Sequence, residues 1–284
     1  MEPSRTRMLN ALTVDVEDYF HTEAMSAAVR RQDWDRMPSR VQVNTHRVFE
    51  LLARHNVRAT FFFLGWVAER FPGLVVEAAR LGHEIGCHSY WHRPVYRLSP
   101  AEFRQDTKRA KAVIEEAAGV QVRGYRAPSF SLVLGTEWAA EILAELGFAY
   151  DSSVHPIRHD LYSNPQAPRF LHWIANGTLL ELPVATAALY GHTLPLGGGG
   201  YLRVFPYPYL RWGLRQINET EHNPAIVYVH PWEFDPNQPR LAVSLKSRLR
   251  QYTNLKGTAR KMARLLADFD FGTIGEAFSG TITS

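Results

Sequence analysis

Three carboxylates and two imidazoles carry the most chemistry in this chain. The run Thr13-Val14-Asp15-Val16-Glu17-Asp18 sets three acids at the end of an apolar stretch, where like charges repel unless a cation or a catalytic role compensates. His88-Ser89-Tyr90-Trp91-His92 supplies two imidazoles four residues apart, a spacing that puts both on one face of a helical turn and suits a divalent metal such as zinc. Each segment alone has an ordinary explanation: acids facing water at a strand end, or a chance pair among 12 histidines. Together they complete a facial set of two imidazoles and one carboxylate, with positions left open for water and substrate. Open positions belong to a catalytic metal, and a second nearby carboxylate, Asp15, then serves as general base. Cys87 adjoins His88, but strand alternation turns it away, so it reads as a buried structural thiol. His83 reads as a strand-face residue.

Parallel strands joined by crossover helices would position these groups. β-rich runs at 9–16, 59–65, 82–88, 120–126, 148–153, 179–186 and 225–230 alternate with helical periodicity, which predicts an α/β fold. The helices fall at about 45–56, 72–81, 99 onward and 136–146, with Ser99-Pro100-Ala101-Glu102 opening the third as a capping box. Asp15, His88, Arg126, Asp151 and His230 all fall at or near carboxyl ends of different strands. That convergence favours the mouth of a distorted (β/α) barrel of about seven parallel strands over an open sheet. No composition break divides the chain. The reading is one domain over 1–284, with motifs within 9–231, irregular elaborations at 19–43 and 154–177, and a carboxyl-terminal extension at 232–284. The glycines at 197–200 fail both phosphate-loop patterns and read as a flexible loop.

These segments resemble the NodB-type polysaccharide deacetylases, the family 4 carbohydrate esterases, whose motifs recur here in order. Thr13 to Asp18 stands where the family has Thr-Phe-Asp-Asp-Gly, and His88 to His92 matches His-Ser/Thr-x-x-His. Arg126-Ala127-Pro128 matches Arg-x-Pro, Asp151-Ser152-Ser153 resembles the fourth motif, and Val229-His230 ends the fifth. Asp15 to His21, the segment after His230 and the carboxyl-terminal extension look most like the branch encoded with exopolysaccharide and exosortase (PEP-CTERM) loci.

The resemblance implies the barrel fold and metal-dependent removal of N-acetyl groups from an amino sugar. Asp15 would be the general base, held ionised by Arg126. His88 and His92 would be metal ligands, and His230 the general acid, oriented by Asp151 or another acid. Pro128 and Ser129 would line the substrate site, with the Ser129 N–H joining the oxyanion pocket. Val16 interrupts the family's paired aspartates, so the third ligand is Glu17 or Asp18. Spacing favours Glu17 and residue type favours Asp18, with the balance leaning to Asp18. Zinc is the default cofactor, and cobalt, nickel, manganese or iron also suit such a site. Trp91, Trp173, Tyr201 and Trp232 offer flat faces to sugars, Trp232 foremost because it lies beside His230.

Composition limits the alternatives. At 284 residues, 45% hydrophobic and 21% charged, the chain is globular, and its single cysteine excludes a disulfide framework. Its formal charge of +4 is too small and too dispersed for a nucleic-acid footprint. No apolar run has signal-peptide or membrane-spanning character, so the expected location is cytoplasmic, with peripheral contact at the inner membrane left open. Glycosylation patterns at Asn176 and Asn218 read as coincidence. The expected substrate is an amino-sugar polysaccharide, oligosaccharide or precursor. Hydrolysis of a smaller amide metabolite, or carbohydrate binding without turnover, is the alternative; oligomeric state is left open.

Overall fold

The computed structural model describes residues 8–160 and 164–282. Leu9–Val16 (β1) is buried at seven of its eight positions because parallel neighbours flank it, Leu12, Val14 and Val16 pack into the main hydrophobic core, and Thr13 and Asp15 meet the buried Arg126 guanidinium. After it come Val41–Arg54 (α1), Thr60–Phe63 (β2), Gly65–Arg70 (α2), Pro72–Arg80 (α3) and Glu84–Cys87 (β3). Pro100–Ala118 (α4), Gly124–Tyr125 (β4), Trp138–Glu145 (α5) and Tyr150–Asp151 (β5) continue the alternation. The expected capping box is present: Ser99 accepts from the Glu102 amide while Glu102 accepts from the Ser99 amide. Gly119, at φ 66°, closes α4 in the left-handed conformation that glycine adopts without a Cβ clash.

The chain then becomes less regular. His172–Ile174 (β6) pairs antiparallel with Leu179–Glu181 (β7), and Thr186–Leu189 (β8) forms a separate hairpin with His192–Pro195 (β9). Gly200–Val204 (α6), Tyr207–Arg215 (α7), Ile226–Val229 (β10), Leu245–Tyr252 (α8), Thr258–Asp268 (α9), Asp270–Gly272 (β11) and Ile274–Ala277 (α10) complete the described elements. The main sheet runs β10-β1-β2-β3-β4-β5-β7-β6, with β11 beside the first residues of β1.

This is a mixed α/β fold whose parallel sheet curls into a half-barrel. The segment after β7 approaches β10 through a bond from Ala185 N to Ile226 O (3.0 Å) and through two bonds between residues 197–199 and Tyr228. All seven expected strands are present, and β6, β8, β9 and β11 add to them. The carboxyl-terminal segment returns to the sheet: β11 pairs with Leu9–Ala11, and the Ile274 amide donates to Thr60 Oγ1 at 2.8 Å.

The glycines expected to form a flexible loop pack their backbone against Tyr228 of β10. A Cβ on Gly198 would lie 1.9 Å from Tyr228 O, and its φ of 129° suits only glycine. Gly199 N donates to Tyr228 O at 2.9 Å and Tyr228 N to Gly197 O at 2.7 Å. Missing side chains let this backbone lie directly on that of β10.

Candidate active site

β1 delivers the first acid. The pairing Asp15↔Phe62 keeps that end of the strand in the sheet, and the chain then turns, the Glu17 amide donating to Asp15 O at 3.0 Å. Asp15 is 2% exposed, and its Oδ1 accepts from Arg126 Nη1 at 2.8 Å. Arg126 is wholly buried: Nη1 also donates to Thr13 Oγ1 (2.6 Å), Nε to Ser152 O (2.9 Å) and Nη2 to Ser152 Oγ (2.8 Å). Phe62 covers the guanidinium face at 4.4 Å. A buried charge this completely partnered fixes the carboxylate it faces.

The turn separates Glu17 from Asp18. One ligand atom each from Glu17, His88 and His92 can be chosen so that all three lie within 4.8 Å of one another, and all three residues are buried. Asp18 points elsewhere: it accepts from the Tyr19 amide (2.9 Å), Ser39 Oγ (2.7 Å), and the Arg40 (2.8 Å) and Val41 (3.1 Å) amides. It serves the N-terminus of α1, whose first amides have no partner within the helix. The side chain grouped with His88 and His92 is thus that of Glu17 and not that of Asp18.

His88 and His92 come from a loop and not from the helical turn that their spacing predicts. Ser89 (φ 61°) and His92 (φ 50°) are left-handed and swing the chain back on itself, at a conformational cost of order 1–3 kcal/mol each. The Tyr90 amide anchors the loop on Asp106 Oδ2 at 2.7 Å, and the His92 amide donates to Ser89 Oγ at 3.1 Å. Nδ1 of His88 donates to Arg126 O at 2.8 Å, which leaves Nε2 with its lone pair, the state a metal ligand requires. Burial pushes the His88 imidazole down to about 4, so it is neutral.

The donor set fits a divalent cation. Glu17 Oε2 lies 2.7 Å from His92 Nε2 yet is a buried oxygen without hydrogen-bond geometry to any partner, while Oε1 accepts from Trp232 Nε1 at 3.1 Å. Burial pushes the Glu17 carboxyl up, but the His92, His230 and His88 imidazoles outweigh it and hold it well below the ordinary carboxylate range. An ionised, buried carboxylate facing two imidazoles is a charge distribution that a cation completes.

His230 follows β10, and its Nε2 lies 3.8 Å from Asp15 Oδ2 and 3.6 Å from Glu17 Oε1. Glu233, three residues on, accepts from both His230 N (2.9 Å) and Nδ1 (3.1 Å), and Arg203 Nε donates to its other oxygen at 2.7 Å. Burial opposes the charge on His230, but Glu233, with smaller contributions from Glu17 and Asp15, raises it to about 9. Trp232 stacks on the imidazole, centroids 5.3 Å apart.

Glu233, and not Asp151, is the acid in hydrogen-bond contact with His230. Asp151 instead accepts from Ser153 Oγ at 2.5 Å, and Ser153 Oγ accepts from the Ala127 amide at 2.7 Å, so Asp151 braces the backbone next to Arg126. It also pairs across the sheet with Glu181; burial raises Asp151 to about 6 and Glu181 well above the ordinary range. Sequence reading missed Glu233, Arg203, Thr13 and Ser152. Thr13 and Ser152 lie inside the motif runs Thr13 to Asp18 and Asp151 to Ser153, and Glu233 carried a local signal, an acid at the third position of a turn opened by His230-Pro231.

A cavity of about 640 Å³ opens over the cluster, with Asp15, Glu17, His88, His92, His230 and Ser129 in its walls. Ser129 and Phe130 both have positive φ (55° and 50°), a strained turn following the buried Pro128. Trp232 and Tyr201 line the cavity, whereas Trp173 is 56% exposed on β6, and neither it nor Trp91 is among the lining residues. Cys87 is buried and burial raises its thiol, consistent with a structural role. His83 is buried against Phe49 and Phe61.

Residues 32–150 match the family model "Polysaccharide deacetylase", and residues 152–279 match "Domain of unknown function (DUF3473)". A peptidoglycan-N-acetylglucosamine deacetylase of Bacillus cereus is 34% identical over 99 residues, 34% of this chain and 36% of that protein. The peptidoglycan-N-acetylglucosamine deacetylase PgdA of Listeria monocytogenes is 41% identical over 73 residues, 25% of this chain and 16% of that protein. A chitooligosaccharide deacetylase of Bradyrhizobium is 30% identical over 112 residues, 39% of this chain and 48% of that protein. The chain thus spans less than half the length of each of these relatives.

Among solved structures, a Mycobacterium smegmatis protein assigned to the polysaccharide deacetylases superposes with a TM-score of 0.62 at 21% identity, over 100% of this chain and 94% of that one. A family 4 carbohydrate esterase from Streptomyces lividans gives 0.52 at 16% identity, over 94% and 92%. At such identities these structures show a shared fold. On the family model and the sequence relatives, residues 32–150 of this chain are similar to the polysaccharide deacetylases.

Proposed function

We propose that this protein is a metal-dependent N-deacetylase that hydrolyses the acetamido group of N-acetylhexosamine units in a bacterial exopolysaccharide or its precursor. The observation that carries the reading is the grouping of Glu17, His88 and His92 under a cavity whose wall also holds Asp15 and His230. The relatives named above as deacetylases of N-acetylglucosamine in peptidoglycan and of chitooligosaccharide support the chemistry. The exopolysaccharide assignment rests on the resemblance of the segments around Asp15 to His21 and following His230 to the PEP-CTERM-associated branch.

A divalent cation, zinc by default, would be held by Glu17, His88 and His92 and would supply Lewis acidity toward water and the amide carbonyl. The protein's own groups divide the proton transfers. Asp15, held in place by Arg126, takes the proton from the attacking water. The Ser129 N–H, from a residue in the cavity wall, would donate to the oxygen that becomes negative as the carbonyl carbon turns tetrahedral. His230, protonated through its contact with Glu233, gives its proton to the departing amine, so base and acid are separate residues with opposite charge states. Asp15→Asn tests this division: the variant should hold metal as the wild type does and lose turnover by about 10²–10⁴. Full activity in Asp15→Asn would defeat the mechanism.

A further inference from the structure

We propose that the corner built from α8, the end of α6 and the turn into α9 docks on an anionic lipid bilayer beside the mouth of the catalytic cavity. Val204 and Leu249 line that cavity, yet they are 57% and 59% exposed. Leu245, one helical turn before Leu249 on the same face of α8, is 70% exposed. Single exposed aliphatics are ordinary, but three at one rim make a patch that water does not favour.

The charge around this patch is one-sided. From Arg240 to Arg264 the chain holds eight Lys and Arg residues and no Asp or Glu, whereas the whole chain is only +4. Asp160 faces α8 from another segment and pairs with Lys246 and Arg250. Arg248, Lys256 and Arg260 are exposed and have no ion pair among the described residues.

Two cations, the buried Arg203 and the half-buried Lys261, hold these residues at one corner. Arg203 donates to the carbonyls of Arg250 (2.7 Å), Gln251 (3.2 Å) and Thr253 (2.9 Å), tying α8 to α6. Lys261 donates to the carbonyls of Leu202 (3.0 Å), Arg203 (2.7 Å) and Phe205 (2.6 Å), tying α9 to the same place.

A bilayer fits both halves of the pattern. Leucines enter the boundary between headgroups and acyl chains while flanking cations meet anionic headgroups. Nucleic acid would neutralise the cations and leave the leucines in water. No described helix is long and apolar enough to cross a membrane, so the contact is peripheral. It rests on this surface alone and not on the catalytic reading.

Co-sedimentation tests it, because it requires no turnover. Purified protein is spun with vesicles of phosphatidylcholine, or of phosphatidylcholine and phosphatidylglycerol in equal parts, at about 0.1 M and about 0.5 M salt. Binding is expected on the anionic vesicles alone and is lost at the higher salt. A Leu245→Glu, Arg248→Glu, Lys256→Glu variant should bind more than about a hundredfold more weakly, from about fivefold for each basic charge removed and the lost leucine. Its melting temperature and acetate release from soluble oligomers should be unchanged, and Arg248→Glu alone should show a smaller loss in the same direction. Equal binding to neutral vesicles, no binding to either, or wild-type binding by the triple variant would overturn the proposal. Retention on immobilised poly-glutamate without vesicle binding would assign the face to an acidic protein and overturn it too.

Discussion

Replacing Glu233 by Gln should move the alkaline limb of the deacetylation profile down in pH while leaving the acidic side in place. Glu233 is wholly buried and touches His230 through both its backbone N and Nδ1, and it is the largest influence holding the imidazole at about 9 rather than 6.5. That difference corresponds to about 3 kcal/mol favouring the imidazolium, at 1.36 kcal/mol per pH unit. With the carboxylate gone, burial is opposed only by Glu17 and Asp15, and His230 falls back toward its ordinary value. The general acid must be protonated, so activity declines as pH rises through its pKa. At pH 8 an imidazole of pKa about 9 is about 90% protonated, and one of pKa about 6.5 about 3%. Glu233→Gln should therefore lose about thirtyfold in kcat/KM at pH 8 and less than about twofold at pH 6. Arg203 keeps its three carbonyl partners, and a melting curve checks that the fold survives. An unmoved alkaline limb, or an equal loss at both pH values, would refute the assignment of His230 as an acid tuned by Glu233.

Other perturbations test other parts of the structure. Glu17→Ala should abolish tight metal binding, whereas Asp18→Ala should retain it and lower stability by about 1 kcal/mol through the lost helix cap; metal content by mass spectrometry and a urea melt separate the two. Arg126→Met leaves Asp15 buried without its cation, and calorimetry should find it about 3–5 kcal/mol less stable. Gly198→Ala drives a Cβ to within 1.9 Å of Tyr228 O, so it should yield little soluble protein or a loss of several kcal/mol, against a small effect for Gly73→Ala, which meets no atom within 4 Å. Asp151 is raised to about 6 from 3.8, so between those values the folded protein binds more protons than the unfolded chain, and this group's contribution to stability falls as pH rises. Asp151→Asn should gain urea resistance relative to the wild type between pH 4.5 and 7; a parallel pH dependence would contradict the raised carboxyl.

The strands and motif positions were legible because they depend on local pattern. The apolar run of β1, the triple phenylalanine of β2 and the capping box of α4 each satisfy their own segment, and the chemistry falls at strand ends as a parallel sheet requires. The division of labour between Glu17 and Asp18 was not legible. It depends on the Arg40 and Val41 amides, more than twenty residues away, which need an acceptor that Asp18 supplies. Glu233 displaced Asp151 for a similar reason: the turn after β10 brings a local carboxylate to His230, while Asp151 is committed to Ser153. The glycines at 197–200 misled in the opposite sense, since their composition suits flexibility as well as it suits a backbone lying against Tyr228. Strand β11 was hidden because three residues at the edge of β1 carry too little periodicity to stand out.

Acetate release from N-acetylglucosamine oligomers by metal-stripped protein, before and after zinc or cobalt is restored, bears most directly on the central claim. Release is expected only when metal is present, with loss of release in Glu17→Ala, His88→Ala and His92→Ala together with their metal. Release that persists in the stripped protein, or in a Glu17→Ala variant shown to be folded and metal-free, would contradict a reaction run by these three ligands with Asp15 and His230.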